Sequence, residues 1–283
     1  MARYPELQGK VALVTGAGRR KGLGEGIARR LVAEGCKVVI TDIGHAKGAE
    51  MPASAVGLQS EMDAVAAEIH AAALHGGACS AVALDVTEEA QVIAVVDEAV
   101  NRYGALDILV NNAGIGYIMK PIFEMTMAEW DAVLGVNLRG AFACTKYATM
   151  QMVKQGRGGR VVNIASQAAK SGFPFASAYC SSKHGMVGLT RVTAIEMGKH
   201  AITANAVCPN HVTTGLGAWQ NDYFSKALGL TLDQYMAAMK GRIPMGRPGL
   251  PEDTANAVAW LCSDEAKYVT GESVNVSGGE EMH

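Results

Sequence analysis

At 283 residues, 49% hydrophobic and 18% charged, the chain is long enough to bury a large core as one α/β domain or two. Its formal charge of −2 and lack of a Lys/Arg-rich block argue against nucleic acid or an anionic membrane surface as partner. With no signal-peptide pattern after Met1 and no apolar run of membrane-spanning length, a soluble, cytoplasmic protein is expected. Six scattered cysteines without a C-x-x-C pair and seven histidines without ligand spacing predict neither a metal site nor disulfides.

The first apolar run, Val11 to Val14, is followed directly by Thr15-Gly16-Ala17-Gly18-Arg19-Arg20-Lys21-Gly22-Leu23-Gly24. A helix is predicted from about Glu25, with Ile27, Leu31 and Val32 as its apolar stripe. Glycines let a backbone approach a pyrophosphate, and the amides at a helix N-terminus bind the anion. Gly16, Gly18, Gly22, Leu23 and Gly24 are therefore candidate cofactor-binding residues. The second strand, Val38-Val39-Ile40, ends at Asp42, where a carboxylate accepts hydrogen bonds from the adenosine ribose of NAD. It would repel the additional phosphate of NADP by roughly 4 kcal/mol at ~4 Å. Arg19, Arg20 and Lys21 pull the other way, but their side chains are free to turn elsewhere, so NAD is expected over NADP.

Residues 44 to 60 lack periodicity and read as an insertion before a helix beginning near Glu61. Further strands are predicted at Ala81 to Leu84, Ile108 to Val110, Val161 to Ile164, Ala204 to Val207 and Ser273 to Val276. Between them, helical stripes appear at Val92, Val95, Val96 and Ala99, and at Met186, Val187, Leu189, Val192 and Ile195. Short apolar strands alternating with helices give a single-domain, Rossmann-like doubly wound parallel sheet of about seven strands spanning residues 1 to 283. Residues 211 to 250, beyond the sixth strand's carboxyl end, are expected to form a substrate lid, with a helical subunit contact as the alternative.

Tyr179-Cys180-Ser181-Ser182-Lys183 opens the late helix, with Ser166 thirteen residues upstream of Tyr179 at a strand end. A free phenol has a pKa near ~10 and is a poor base at neutral pH. Lys183 shares a helix face with Tyr179 and is expected to favour its phenolate, so that tyrosine, lysine and serine together move a proton on and off an alcohol oxygen. A Y-x-x-x-K pair also arises by chance; Ser166, Asn137 and the glycine loop in order are what single this one out.

Together these residues resemble the short-chain dehydrogenase/reductase family, from about Gly9 to Gly279. Asp85-Val86, Asn111-Asn112-Ala113-Gly114 and Asn205-Ala206-Val207-Cys208-Pro209 are further marks of it. The resemblance implies that Asp85 and Val86 border the adenine and that Asn112, Ala113 and Gly114 support sheet and cofactor. It also implies that Pro209, Val212 and Thr214 lie towards the nicotinamide. Asn137 would hold a relay water, Ser166 the substrate oxygen, Tyr179 would be the acid/base, and Lys183 would bind the nicotinamide ribose. Hydride transfer between nicotinamide and a secondary alcohol or ketone follows, in a homotetramer or homodimer. The alternatives are an NADP-dependent carbonyl or 3-oxoacyl-thioester reductase and, more distantly, a nucleotide sensor without catalysis. The glycine loop is two residues longer than the family's T-G-x-x-x-G-x-G, and Asn210 stands where glycine usually follows the proline. Substrate candidates are Gln167, Phe173, His211 and Trp219, with Tyr117, Phe175 and Leu216; Lys170 and His184 read as a solvated and a packing residue.

Overall fold

The computed structural model describes residues 2–47 and 56–282. The strands are β1 (Val11–Val14), β2 (Lys37–Asp42), β3 (Ala78–Ala83), β4 (Ile108–Asn111), β5 (Gly159–Ile164), β6 (Ile202–Pro209) and β7 (Ser273–Val276). They pair in parallel as one seven-stranded sheet in the order β3-β2-β1-β4-β5-β6-β7. Every residue of β1, β4 and β6 is buried, which is why these runs show continuous rather than alternating hydrophobicity. Parallel neighbours need crossovers, and the helices supply them. These are α1 (Leu23–Ala33), α2 (Gln59–Ala71), α3 (Glu89–Tyr103), α4 (Met127–Leu134), α5 (Ala141–Gln155), α6 (Ser177–Met197), α7 (Gly215–Ala227), α8 (Leu232–Arg242) and α9 (Pro251–Cys262).

Two cores result, one on each face of the sheet. Ala12, Val14, Val38 and Ile40 pack with Ile27 and Leu31 of α1, Met62 of α2 and Val258 of α9. Their alternates Val11, Leu13, Val39 and Leu109 pack with Val92 and Val96 of α3 and Cys144 and Met152 of α5. The α1 and α3 stripes are thus buried as predicted. The α6 stripe is only half right: Met186 and Val187 are buried, whereas Val192 is 52% and Ile195 82% exposed. The buried face of α6 continues instead through Ser182, Lys183, Thr190 and Thr193, small or polar groups that hydrophobicity alone does not flag. Five of the six cysteines are buried, as small core residues.

Because β1 pairs with β2 on one side and β4 on the other, the connections leave the carboxyl ends of β1 and β4 in opposite directions, opening a crevice there. The segment from 44 to 60 leaves and rejoins beside it: Gly44 bridges Leu58, and Gly44 N–H donates to Gly57 C=O at 3.0 Å. Within that predicted insertion, residues 48–55 lie outside the described residues. After β6, α7 and α8 are capped by Thr214 and Thr231, and the segment returns where Val212 bridges Gly249. Among the described residues no helix is long and apolar enough to cross a membrane.

Candidate functional site

Two cavities open at the carboxyl ends of the strands. A trough of about 170 Å³ runs from Asp42, Ile43 and Asp85 past Gly16 and Gly22 to Gly114 and Tyr117. A larger cavity of about 420 Å³ begins at Ser166 and Tyr179 and extends under α7 and α8 to Tyr235 and Met239. Leu23, Thr214 and Leu216 line both, so the two meet there.

The trough is shaped by glycines. Gly16 has φ +63°, and a Cβ on it would lie 2.6 Å from Ala113 Cα. Asn112 clamps this turn, its Nδ2 donating to the carbonyls of Thr15 and Gly16 at 2.9 and 2.8 Å. The N-cap of α1 is Gly22, without a capping side chain, so the first-turn amides of α1 keep their capacity for an anion. Gly18 and Gly24 serve packing rather than the trough wall: a Cβ on Gly18 would meet Asp42 Cβ at 2.7 Å, and one on Gly24 would meet Ala17 Cα at 2.6 Å. Val86, Asn112 and Ala113 line the trough.

Asp42 is held by three backbone donors, Gly18 N–H at 3.1 Å, Ile43 N–H at 2.9 Å and Gly57 N–H at 3.0 Å. Burial pushes its carboxyl up from the usual range while those amides oppose the shift. Gly57, at the end of the inserted segment, is a support the sequence did not reveal. Burial likewise opposes ionisation of Asp85, but Lys47 Nζ at 2.6 Å and Thr87 outweigh it and hold the carboxyl low. Of the basic trio, Arg20 makes two 2.7 Å bonds to Glu68 of α2, and its N–H donates to Glu61. Arg19 turns the other way, its Nη1 donating to Tyr117 Oη at 2.7 Å. Lys21 has φ +57°, and its N–H donates to Glu25.

Ser166 lies two residues past β5 and caps the short helical turn Gln167–Ala169, its Oγ accepting from Ala168 N–H at 3.1 Å. Tyr179 is buried in the first turn of α6, and Lys183 Nζ sits 5.7 Å from its ring centroid. Burial pushes the Tyr179 phenol up to about 12, opposed by its hydrogen bond with Ser166, and pulls the Lys183 ammonium down to about 8. Lys183 Nζ donates to Ile164 C=O at 2.8 Å and also approaches Met186 Sδ at 3.5 Å. Asn137 lies in a π-helical turn, Gly135–Gly140, between α4 and α5. Its Oδ1 accepts from Ile115 N–H at 2.8 Å, and its Nδ2 donates to Ile115 C=O at 3.0 Å and Ser182 Oγ at 3.1 Å. Its side chain therefore fixes the loop after β4 to α6. Asn137 and Lys183 both lie behind Gly114, where an added Cβ would come within 3.3 Å of Asn137 Oδ1 and 3.6 Å of Lys183 Nζ.

The larger cavity is lined by the substrate candidates Gln167, Phe173, His211, Phe175 and Leu216, and also by Pro209 and Val212, which the resemblance assigns to the cofactor. Gln167 Oε1 and His211 Nε2 are buried without a hydrogen-bond partner among the described residues. Burial, reinforced by Arg242, pushes His211 down to about 4, so it is a neutral imidazole. Trp219 stands outside this wall, edge-on to Tyr117 at 5.4 Å and stacked on Tyr223 at 5.3 Å. Phe224, Tyr235, Met239, Arg242 and Glu280 also line it. They come from α7, α8 and the C-terminal tail, whose convergence on this cavity no local pattern announces.

A family profile described as enoyl-(acyl carrier protein) reductase matches residues 16–281. A short-chain dehydrogenase/reductase of Armillaria gallica is 38% identical over 99% of this chain and 98% of its own length. The chain belongs to the short-chain dehydrogenase/reductase family. Galactitol 2-dehydrogenase of Agrobacterium fabrum is 36% identical over 98% of this chain and 99% of its own. The 3-oxoacyl-[acyl-carrier-protein] reductase FabG of Staphylococcus aureus is 37% identical, covering 96% and 98%. A solved structure of a Sinorhizobium meliloti protein assigned as a short-chain alcohol dehydrogenase superposes with a TM-score of 0.81 at 33% identity, covering 96% of both chains. As a member of this family the chain is an NAD(P)-dependent alcohol dehydrogenase or ketone reductase. The trough suits that cofactor: a glycine floor, the open first-turn amides of α1 for the pyrophosphate, and a carboxylate at the tip of β2.

Proposed function

We propose that this short-chain dehydrogenase is NAD-linked and interconverts a secondary alcohol and its ketone, with Tyr179 as acid/base. The observation that carries the NAD assignment is Asp42. Its carboxylate is wedged between Gly18 and Gly57, a Cβ on Gly57 falling 2.7 Å from its Cγ, which leaves little room for an additional phosphate. Of the two arginines that line the trough, Arg20 is already bidentate to Glu68.

When bound, an oxidised nicotinamide would supply the hydride acceptor and a positive charge to a buried site. Tyr179 takes the hydroxyl proton in oxidation and returns it in reduction, while Ser166 donates to the substrate oxygen. Lys183 offers its ammonium to the nicotinamide ribose and, through α6, fixes Tyr179. The aromatic wall of Phe173, Phe175 and Phe224 favours a substrate with an apolar body, and the cavity is within the ~300–1,000 Å³ range of small-molecule sites. Residues 211 to 250 act as its lid, and the whole chain acts as one catalytic domain in a cytoplasmic homodimer or homotetramer.

Fluorescence titration with NADH and NADPH, beside Asp42→Ala, tests the cofactor assignment. NADH preference that Asp42→Ala erases supports it. NADPH preference would favour the second reading, a reductase of 3-oxoacyl thioesters, towards which the FabG relatives point. Tyr179→Phe should lower turnover of secondary alcohols by ~10²–10⁴-fold while NADH still binds. Retained turnover would remove Tyr179 from the chemistry.

A further inference from the structure

The two additional residues of the glycine loop have a physical consequence. Arg20 is tied to Glu61 and Glu68 of α2, and Lys21 N–H to Glu25 of α1, so the loop is anchored on the residues just after Arg19. The anchoring sends the Arg19 side chain across the trough. Its Nη1 bonds Tyr117 on the opposite wall, and its Nη2 lies where a Cβ on Gly215, the first residue of α7, would come within 2.7 Å. Tyr117 in turn packs edge-on against Trp219 of α7. One guanidinium thus joins the glycine loop, the loop after β4 and the base of the lid, all three of which line the trough.

We infer that Arg19 is a cofactor-retaining residue: it closes the trough over the bound dinucleotide, and its bond to Tyr117 must break for the cofactor to leave. The inference rests on the reading of the trough as the dinucleotide site. The span of Arg19 between Tyr117 and Gly215 points to the pyrophosphate, common to NAD and NADP, and its charge also reaches Asp42. A guanidinium held in place loses little freedom when it meets a phosphate, and a charge-assisted pair to pyrophosphate adds to the closure.

The test is stopped-flow release of NADH, followed by its fluorescence, from the full chain and from Arg19→Ala, Tyr117→Phe and the double variant. Retention by the latch predicts release faster by about tenfold or more in Arg19→Ala. Tyr117→Phe should speed release severalfold, and the double variant should be no faster than Arg19→Ala, because Tyr117 acts through Arg19. Tyr117→Phe deletes a single hydroxyl and keeps the test alive should Arg19→Ala fail to fold. Unchanged release from Tyr117→Phe overturns the latch, leaving Arg19 at most a plain phosphate ligand. Slower release or tighter binding in Arg19→Ala also overturns it, since Arg19 would then compete with the cofactor. Failure of the unaltered chain to bind NADH or NADPH would instead sink the dinucleotide reading itself, and this inference with it.

Discussion

A lysine only 4% exposed inside an enzyme core is an expensive group, and Lys183 shows what the site asks of it. Burial brings its pKa down to about 8, against about 10.4 for a free lysine, a difference on the order of 3 kcal/mol. Between those values the unfolded chain holds more protons than the folded one, so this group's contribution to stability rises with pH; below about 8 it is constant and unfavourable. Lys183→Met removes that penalty but strips Ile164 C=O of its donor, a loss of roughly 1–3 kcal/mol. The stability of Lys183→Met relative to the parent chain, from denaturant midpoints, should therefore be flat below pH 8 and decline steadily towards pH 10.5. A pH-independent difference would show that Lys183 is not titrating in the buried site. That Ser166, Tyr179 and Lys183 come together was legible from spacing because both segments are local. The direction of the tyrosine shift was not, since it follows from burial by residues remote in sequence. Trp219 fails as a substrate candidate for the same reason: its partner Tyr117 is remote in sequence.

Among the elements, the C-terminal tail is held in part by one unusual residue. Asn210 replaces the glycine expected after Pro209, and its Nδ2 donates to Ser277 C=O at 2.8 Å and Glu280 Oε2 at 3.0 Å. Those bonds strap the tail beside the outer end of the larger cavity, where Met245 N–H, just past α8, also reaches Gly278 C=O at 3.1 Å. Asn210→Gly should lower stability by about 1–2 kcal/mol through the lost bonds and added backbone freedom. It should raise KM for secondary alcohols severalfold with kcat nearly intact, because the outer wall loosens while Ser166 and Tyr179 stay fixed. An unchanged KM would mean that the tail takes no part in substrate binding. The sequence marked Asn210 as a departure but not what it holds, because its partners lie more than sixty residues further on. Strand runs and the α1 and α3 stripes were readable because apolar periodicity is local. The face of α6 was misread because half its buried surface is Ser, Thr and Lys.

At the scale of the whole molecule, the alternation of apolar strands and helices made the doubly wound sheet legible, and the strand order then positions the crevice between β1 and β4. What covers the outer surface is a separate question. The α6 residues Val192 and Ile195 are exposed at 52% and 82%, and the preceding helix α5 exposes Phe142 at 53% and Met150 at 59%. Scattered apolar side chains on a surface are ordinary, but several large ones on the outer faces of two helices packed on the same face of the sheet are what a subunit contact requires. The homo-oligomer proposed above would bury this face, and the misread stripe would then be a core after all, shared between copies. Ile195→Asp would place a charge in that contact and should shift sedimentation from a dimer or tetramer towards a monomer. On a chain that is monomeric from the start, the same change is a surface substitution worth no more than about 0.5 kcal/mol. Sedimentation that shows an assembly unaffected by Ile195→Asp would put the contact elsewhere on the molecule, and a stable monomer of the parent chain would remove it altogether.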